Sequence, residues 1–184
     1  MNKHILAVAI LSALTSTAMA EGIYGLVDIG QSTTKNACAG VPAGVSCNES
    51  GTAFRFGGGY QVNQNLAVEA SYAMLGNNKA SAGGVTAEIK PAALQLSAVG
   101  SFPLNQEFSL FAKAGLSRIS ADMSSTGSAT QSTTKTGLGY GFGVQYDVTK
   151  QMGVRAQYES LGKLNDTITD FDVSMFSAGL IFKF

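Results

Sequence analysis

An all-β fold, an eight-stranded antiparallel up-and-down transmembrane β-barrel, is predicted by three features of the 184-residue sequence. Apolar residues alternate with small or polar ones through eight segments of about ten residues, the period of a strand with two unlike faces. Short turns and longer loops rich in Ser, Thr, Asn and Gly take turns in joining these segments. The last segment sets Phe176, Ala178, Leu180, Phe182 and Phe184 on one face and Ser177, Gly179 and Lys183 on the other. An aromatic-rimmed outer face over a small, polar inner face suits a strand that crosses a bilayer in a closed barrel.

Taken in order, the first strand (23–32) sends Ile23, Val27 and Ile29 outward and Tyr24, Asp28 and Ser32 inward. The second (52–62) shows Phe54, Phe56 and Tyr60 against Arg55, Gly57, Gly59 and Gln61. The third (65–75) shows Leu66, Val68, Ala70, Tyr72 and Met74 against Ala67, Glu69 and Ser71. In the fourth (92–102), Leu94, Leu96, Ala98 and Phe102 oppose Gln95, Ser97 and Ser101. The fifth (108–121) presents Phe108, Leu110, Ala112, Ala114 and Leu116, backed by Lys113, Gly115 and Ser117. The sixth (136–148) presents Leu138, Tyr140, Phe142, Val144 and Tyr146, backed by glycines and Gln145. The seventh (152–161) sets Val154, Ala156 and Tyr158 against Arg155, Gln157 and Glu159, and the eighth spans 171–184. Tight turns fall at 62–65, 103–107 and 147–151, and longer loops at 33–51, 76–91, 122–135 and 162–170. Short turns at one end and long loops at the other match the periplasmic and extracellular ends of an outer-membrane barrel, with both termini in the periplasm.

The amino end agrees with export. Lys3, the apolar run from Ile5 to Leu14 and Ala18-Met19-Ala20 form a signal peptide over 1–20, leaving a barrel domain over 21–184. The run is too short for a transmembrane helix. The chain carries 12 basic and 12 acidic residues. Cleavage removes one of the basic residues, Lys3, so nucleic-acid binding has no electrostatic footprint. Cys38 and Cys47, exported to an oxidising compartment, are expected to close a disulfide within the first long loop. Such a bond is worth roughly 2.7 kcal/mol by loop entropy. Two thiols without a histidine make a poor metal site, and neither metal nor cofactor is expected.

A soluble eight-stranded barrel of the lipocalin kind is the structural rival, with apolar residues inside. Asp28, Arg55, Glu69, Lys113, Arg155 and Glu159 all share the face opposite the aromatics, Arg118 being the exception. Those charges would face water in a lipocalin and the lumen in a membrane barrel. Parity alone does not choose; the leader, the terminal Phe184 and tyrosines at strand ends favour the membrane. Three acids and three bases in a narrow lumen should form one hydrogen-bonded ionic network. Glu69 and Arg155 stand at similar heights on opposite strands, so a cross-lumen pair is expected, with pairing to neighbouring strands (Arg55 beside Glu69) as the alternative.

Gly58-Gly59-Tyr60-Gln61-Val62-Asn63, followed by Glu69, Tyr72, Leu75 and Gly76, resembles the transmembrane domain of the outer-membrane protein A family. Tyr24, Gly30 and Ser32 fit its first strand, and Arg155 with Tyr158 its seventh. The carboxyl end, from Ser177-Ala178-Gly179 to Lys183-Phe184, is similar to the opacity-type surface barrels. The resemblance implies a barrel-blocking Glu69–Arg155 ion pair or gate, with Gln145 and Gln157 where carboxylates are usual and Val99 where Lys is usual. Peptidoglycan tethering by a further domain is not expected to carry over.

Small barrels of this kind that act as enzymes use a His with Ser, Asp or Glu partners. The one histidine, His4, falls in the leader, so no enzyme is expected. Gly137, Gly139, Gly141 and Gly143 alternate with Leu138, Tyr140, Phe142 and Val144, which makes room in a barrel rather than a phosphate loop. The expected function is a monomeric envelope component of the Gram-negative outer membrane, displaying loops to host surfaces or phage. A narrow gated channel for ions or small solutes is the alternative, and entry of small apolar solutes between strands a lesser third. Expected partners are outer-membrane lipids and lipopolysaccharide. During biogenesis, periplasmic chaperones and the barrel-assembly machinery would read Phe176, Leu180, Phe182 and Phe184.

Overall fold

The computed structural model describes residues 22–35, 48–76, 78–82, 85–125, 131–165 and 170–184. The expected leader and both cysteines, Cys38 and Cys47, lie outside the described residues. Among the described residues nine strands follow one another: β1 Ile23–Lys35, β2 Ser50–Asn63, β3 Leu66–Met74, β4 Asn78–Ala82, β5 Val85–Pro103, β6 Phe108–Ser125, β7 Gln131–Asp147, β8 Met152–Asn165 and β9 Asp170–Lys183. Each pairs antiparallel with its neighbours, and β1 pairs with β9 from Tyr24↔Lys183 to Lys35↔Asp172, which closes the sheet on itself. β3 and β4 both lie along β5, through Met74↔Ala92 and Asn78↔Ile89. They form a single stave interrupted where Gly76 takes φ +79°. The barrel therefore has eight staves, as the alternation predicts.

Three short turns are built on one device. Asn63 Oδ1 accepts from the backbone N–H groups of Asn65 and Leu66, each at 2.9 Å. Asn105 Oδ1 takes those of Glu107 (2.9 Å) and Phe108 (2.7 Å), and Thr149 Oγ1 those of Gln151 (3.2 Å) and Met152 (3.0 Å). Each side chain satisfies two amides that the reversing chain would leave unpaired.

At the opposite end the strands outrun their expected limits. β5 begins at Val85, β6 ends at Ser125 and β7 begins at Gln131, all inside segments predicted as loops. β6 and β7 stay paired up to Met123↔Gln131. Beyond the membrane neither face need be apolar, so alternation fades while Ser- and Thr-rich chain goes on pairing.

Outward residues form the apolar belt that the alternation predicts. Ile29, Phe54, Phe56, Leu94, Leu116, Leu138 and Phe142 are all exposed on the outer wall. Cross-strand partners Phe56–Tyr72, Phe108–Tyr146 and Phe142–Tyr158 bring their rings to 5.6, 4.6 and 5.7 Å. The polar side chains are inside, the reverse of a lipocalin.

Candidate functional site in the barrel lumen

Asp28, Glu69 and Glu159 share the lumen with Arg55, Lys113 and Arg155, and all six are buried. Their neighbours on adjacent staves decide how they pair. Only Asp28 and Arg55 stand opposite one another. Glu69 lies between Gly59 and Ser97, Lys113 between Val99 and Gly141, and Arg155 between Gln145 and Gly179. Glu159 is flanked by Gly141 and Met175. With no opposite charge directly beside them, Lys113 and Glu159 meet over the glycine at 141 that lies between their strands, whereas Glu69 and Arg155 must reach across the lumen to be neutralised.

Arg155 Nη1 donates to Glu69 Oε1 at 2.6 Å, joining walls that face each other across the ring. Its guanidinium lies 4.4 Å from the centroid of Phe111, a cation–π contact that holds the fork in place. Tyr24 donates its hydroxyl to the same Glu69 oxygen at 2.8 Å. Lys113 stands 3.9 Å from Glu69 Oε2 and pairs with Glu159. Arg55 holds Asp28 through Nε at 2.6 Å and through Nη2, while its Nη1 takes Glu159. Arg55 thus turns to Asp28 and Glu159 rather than to Glu69, because its β3 neighbour is Ala73. Asp28, Arg55, Glu159, Lys113, Glu69 and Arg155 form one chain of alternating sign and no net charge.

The two glutamines extend this chain at either side. Gln157 Nε2 donates to Asp28 Oδ2 at 3.2 Å and to Ser177 Oγ at 3.4 Å. Gln145 accepts from Arg155 Nη2 at 3.2 Å and donates to Asp147 Oδ1 at 2.8 Å. Asp147 in turn meets Lys183 at 2.7 Å. Tyr24, Phe111, Asp147 and Lys183 are therefore members of the site that sequence reasoning did not assign to it. Their signal was inward parity at the turn end of each strand.

Above the ionic layer, toward the long loops, the lumen turns apolar. Leu75, Ile119, Leu161, Val173 and Met175 pack with the alanines at 53, 73 and 93 into a cluster almost wholly shut off from solvent. The sequence carries this switch too: inward parity runs from Arg55 to Ala53, from Glu159 to Leu161, and from Ser71 through Ala73 to Leu75. At the short-turn end a cavity of about 150 Å³ enters past Gln145, Asp147 and Lys183 and reaches Arg155. The lumen is thus a blind polar vestibule, an ion-pair layer and an apolar lid. Among the described residues, no group of three or more His, Cys, Asp or Glu is placed to hold a metal ion.

A closed barrel with charges inside and a lipid-ready exterior agrees with sequence comparison. Residues 5–184 match the family described as outer membrane protein beta-barrel domain. The chain belongs to that family. Membership places it in the Gram-negative outer membrane, among barrels of the surface-display and envelope type. Neisserial surface protein A is 25% identical, with a TM-score of 0.62 over 91% of this chain and 100% of that one. The attachment invasion locus protein of Yersinia pestis (21% identity, TM-score 0.58, 89% and 99% covered) shares the fold. So does the N-terminal β-barrel domain of Pseudomonas aeruginosa OprF (13%, 0.60, 90% and 100%). Among curated proteins, no sequence matches this family member.

Proposed function

We propose that this outer-membrane barrel is a non-conducting, non-enzymatic anchor that supports the envelope and displays its long loops outside the cell. One observation carries the reading: the lumen is closed twice, by the neutral ion-pair layer and by the apolar lid around Leu75, Leu161 and Met175. An ion crossing the lid would lose its hydration shell with only the hydroxyls of Ser32 and Ser117 near it to replace that shell. The leader over 1–20 directs export, both termini lie in the periplasm, and Cys38–Cys47 staples the first loop outside. Loop partners are host-surface or phage molecules. Assembly is read from Phe176, Leu180, Phe182 and Phe184.

The test is conductance of the refolded barrel in a planar bilayer at neutral pH. Wild type and Arg155→Gln should both be silent, because the lid survives loss of the ion pair. Conduction should require Leu75→Ser with Leu161→Ser. The second reading, a narrow gated channel, is favoured by the vestibule that already reaches Arg155 from the turn end. Reproducible openings in wild type, altered by Arg155→Gln, would establish it and set the anchor reading aside.

A further inference from the structure

At the short-turn end, one residue pattern recurs around the rim of the barrel. Tyr60-Gln61-Val62, Phe102-Pro103-Leu104, Tyr146-Asp147-Val148 and Phe182-Lys183-Phe184 each read aromatic, any residue, apolar. The first three lead into the turns β2–β3, β5–β6 and β7–β8, and the fourth ends β9 beside the start of β1, so the pattern encircles the ring. Period two sends alternate members opposite ways. The middle residues, Gln61, Pro103, Asp147 and Lys183, line the vestibule. The last residues face out: Val62, Leu104, Val148 and Phe184 are 58, 57, 48 and 50% exposed, one step beyond the aromatics.

A single exposed apolar side chain needs no explanation. Four at equivalent positions around a ring form a surface. The backbone that carries them is already satisfied. Besides the amides held by Asn63, Asn105 and Thr149, Leu104 N–H donates to the Phe108 carbonyl at 2.8 Å, Thr149 N–H to that of Met152 at 2.9 Å and Phe184 N–H to that of Ile23 at 3.0 Å. Such chain ends can enter a poorly hydrated layer without carrying unpaired donors into it. The returning strands also begin on apolar residues, Leu66, Phe108 and Met152, whereas the turn tips Gln64, Gln106 and Lys150 are polar and exposed.

We infer that Val62, Leu104, Val148 and Phe184 form an apolar collar seated among the phospholipids of the inner leaflet, between headgroups and acyl chains. Continuity with the belt selects lipid over a periplasmic protein as the occupant. A protein-binding patch would be set off from the lipid face by polar residues, and between Tyr60 and Val62, or Phe102 and Leu104, the outer face has none. Apolar side chains on a polar-tipped element settle at that depth. The vestibule therefore opens at headgroup level. Naming the leaflet rests on the orientation proposed above, with the short turns toward the periplasm.

The chain contains no tryptophan, so a single one reports its own surroundings. Leu104→Trp and Val148→Trp, folded into phosphatidylcholine vesicles, should emit to the blue and lose most of their emission to phospholipids brominated near the top of the acyl chain. They should resist iodide supplied on both sides of the membrane. Gln106→Trp, at the tip of the turn that carries Leu104, should do the reverse, which excludes a preference of tryptophan itself. Heat-modifiable migration on detergent gels checks folding, and Val62→Trp stands in for a variant that fails it. Quenching of Leu104→Trp and Val148→Trp by iodide as readily as Gln106→Trp overturns the collar and leaves these residues facing water. The vesicle result is the same whichever way the barrel sits in the cell. Labelling of Gln106→Cys by an impermeant thiol reagent, in a Cys38→Ser, Cys47→Ser background, tests the orientation separately. Label should appear only once the outer membrane is permeabilised; label on intact cells refutes the inner leaflet and leaves the collar standing.

Discussion

At the scale of the residue, the lumen shows how small neighbours select long-range partners. Glu69 has Gly59 and Ser97 beside it, and the glycine is essential to the geometry: a Cβ at 59 would run into the Tyr24 ring that bonds Glu69. Gly143 does the same for Phe111, whose ring tip lies 2.7 Å from where its Cβ would be, and Phe111 supports Arg155. Removing one member of a buried ion pair strands the other, at about 3–5 kcal/mol. Arg155→Gln should therefore destabilise the barrel by about 3 kcal/mol in urea titrations in lipid vesicles. The Glu69→Gln, Arg155→Gln double variant should be clearly less destabilised than the sum of the singles. Additive effects would mean the two side chains are energetically independent. Tyr24→Phe, which removes only one hydrogen bond to a charged oxygen, should cost about 1.5–3 kcal/mol.

The element scale shows where turn chemistry and strand ends decide the fold. Asn105 serves two amides from a single oxygen, so Asn105→Ala should lower stability by about 1 kcal/mol and leave the lumen intact, as read from the same urea midpoints. Gly162 offers a sharper case. At φ +110° any side chain is strained, and a Cβ would meet the Leu138 carbonyl oxygen at 3.0 Å. Gly162→Ala should cost about 1–2 kcal/mol; no change in the unfolding midpoint would show that the β8 bulge relaxes freely. Eight staves and their facing were legible because Phe54 and Arg55, or Leu138 and Gly139, obey period two wherever one side meets lipid. The upper parts of β5, β6 and β7 were not, since Ser124 and Thr133 lie where neither face is constrained. The charged half of the lumen was legible from parity. The lid was not, because Leu75, Leu161 and Met175 read as ordinary strand-end apolar residues until closure brings six staves together.

For the whole molecule, closure is the property on which all else depends. An open sheet of this sequence would expose backbone edges to hydrocarbon, where each unpaired group is costly, so the chain is either a complete barrel or not inserted at all. β9 controls this choice. It carries register partners on both sides, Leu180 facing Val27 of β1 and Val154 of β8. It also supplies Ser177 to Gln157 and Lys183 to Asp147 inside the lumen. At Gly179 it makes room for Asp28, whose carboxylate occupies the place a Cβ would take. The intact barrel should migrate faster in unboiled than in boiled samples on detergent gels, since mild SDS does not open a closed ladder. Deleting residues 176–184 removes pairing to both neighbours at once, and the compact band should disappear rather than weaken. A Gly179→Val variant is the finer probe: it keeps the strand but drives a branched side chain into Asp28. Most of its compact band should therefore be lost, whereas Ala178→Val, facing lipid one residue away, should keep it. Equal behaviour of the two valine variants would mean that closure does not depend on the fit between β9 and the ionic layer.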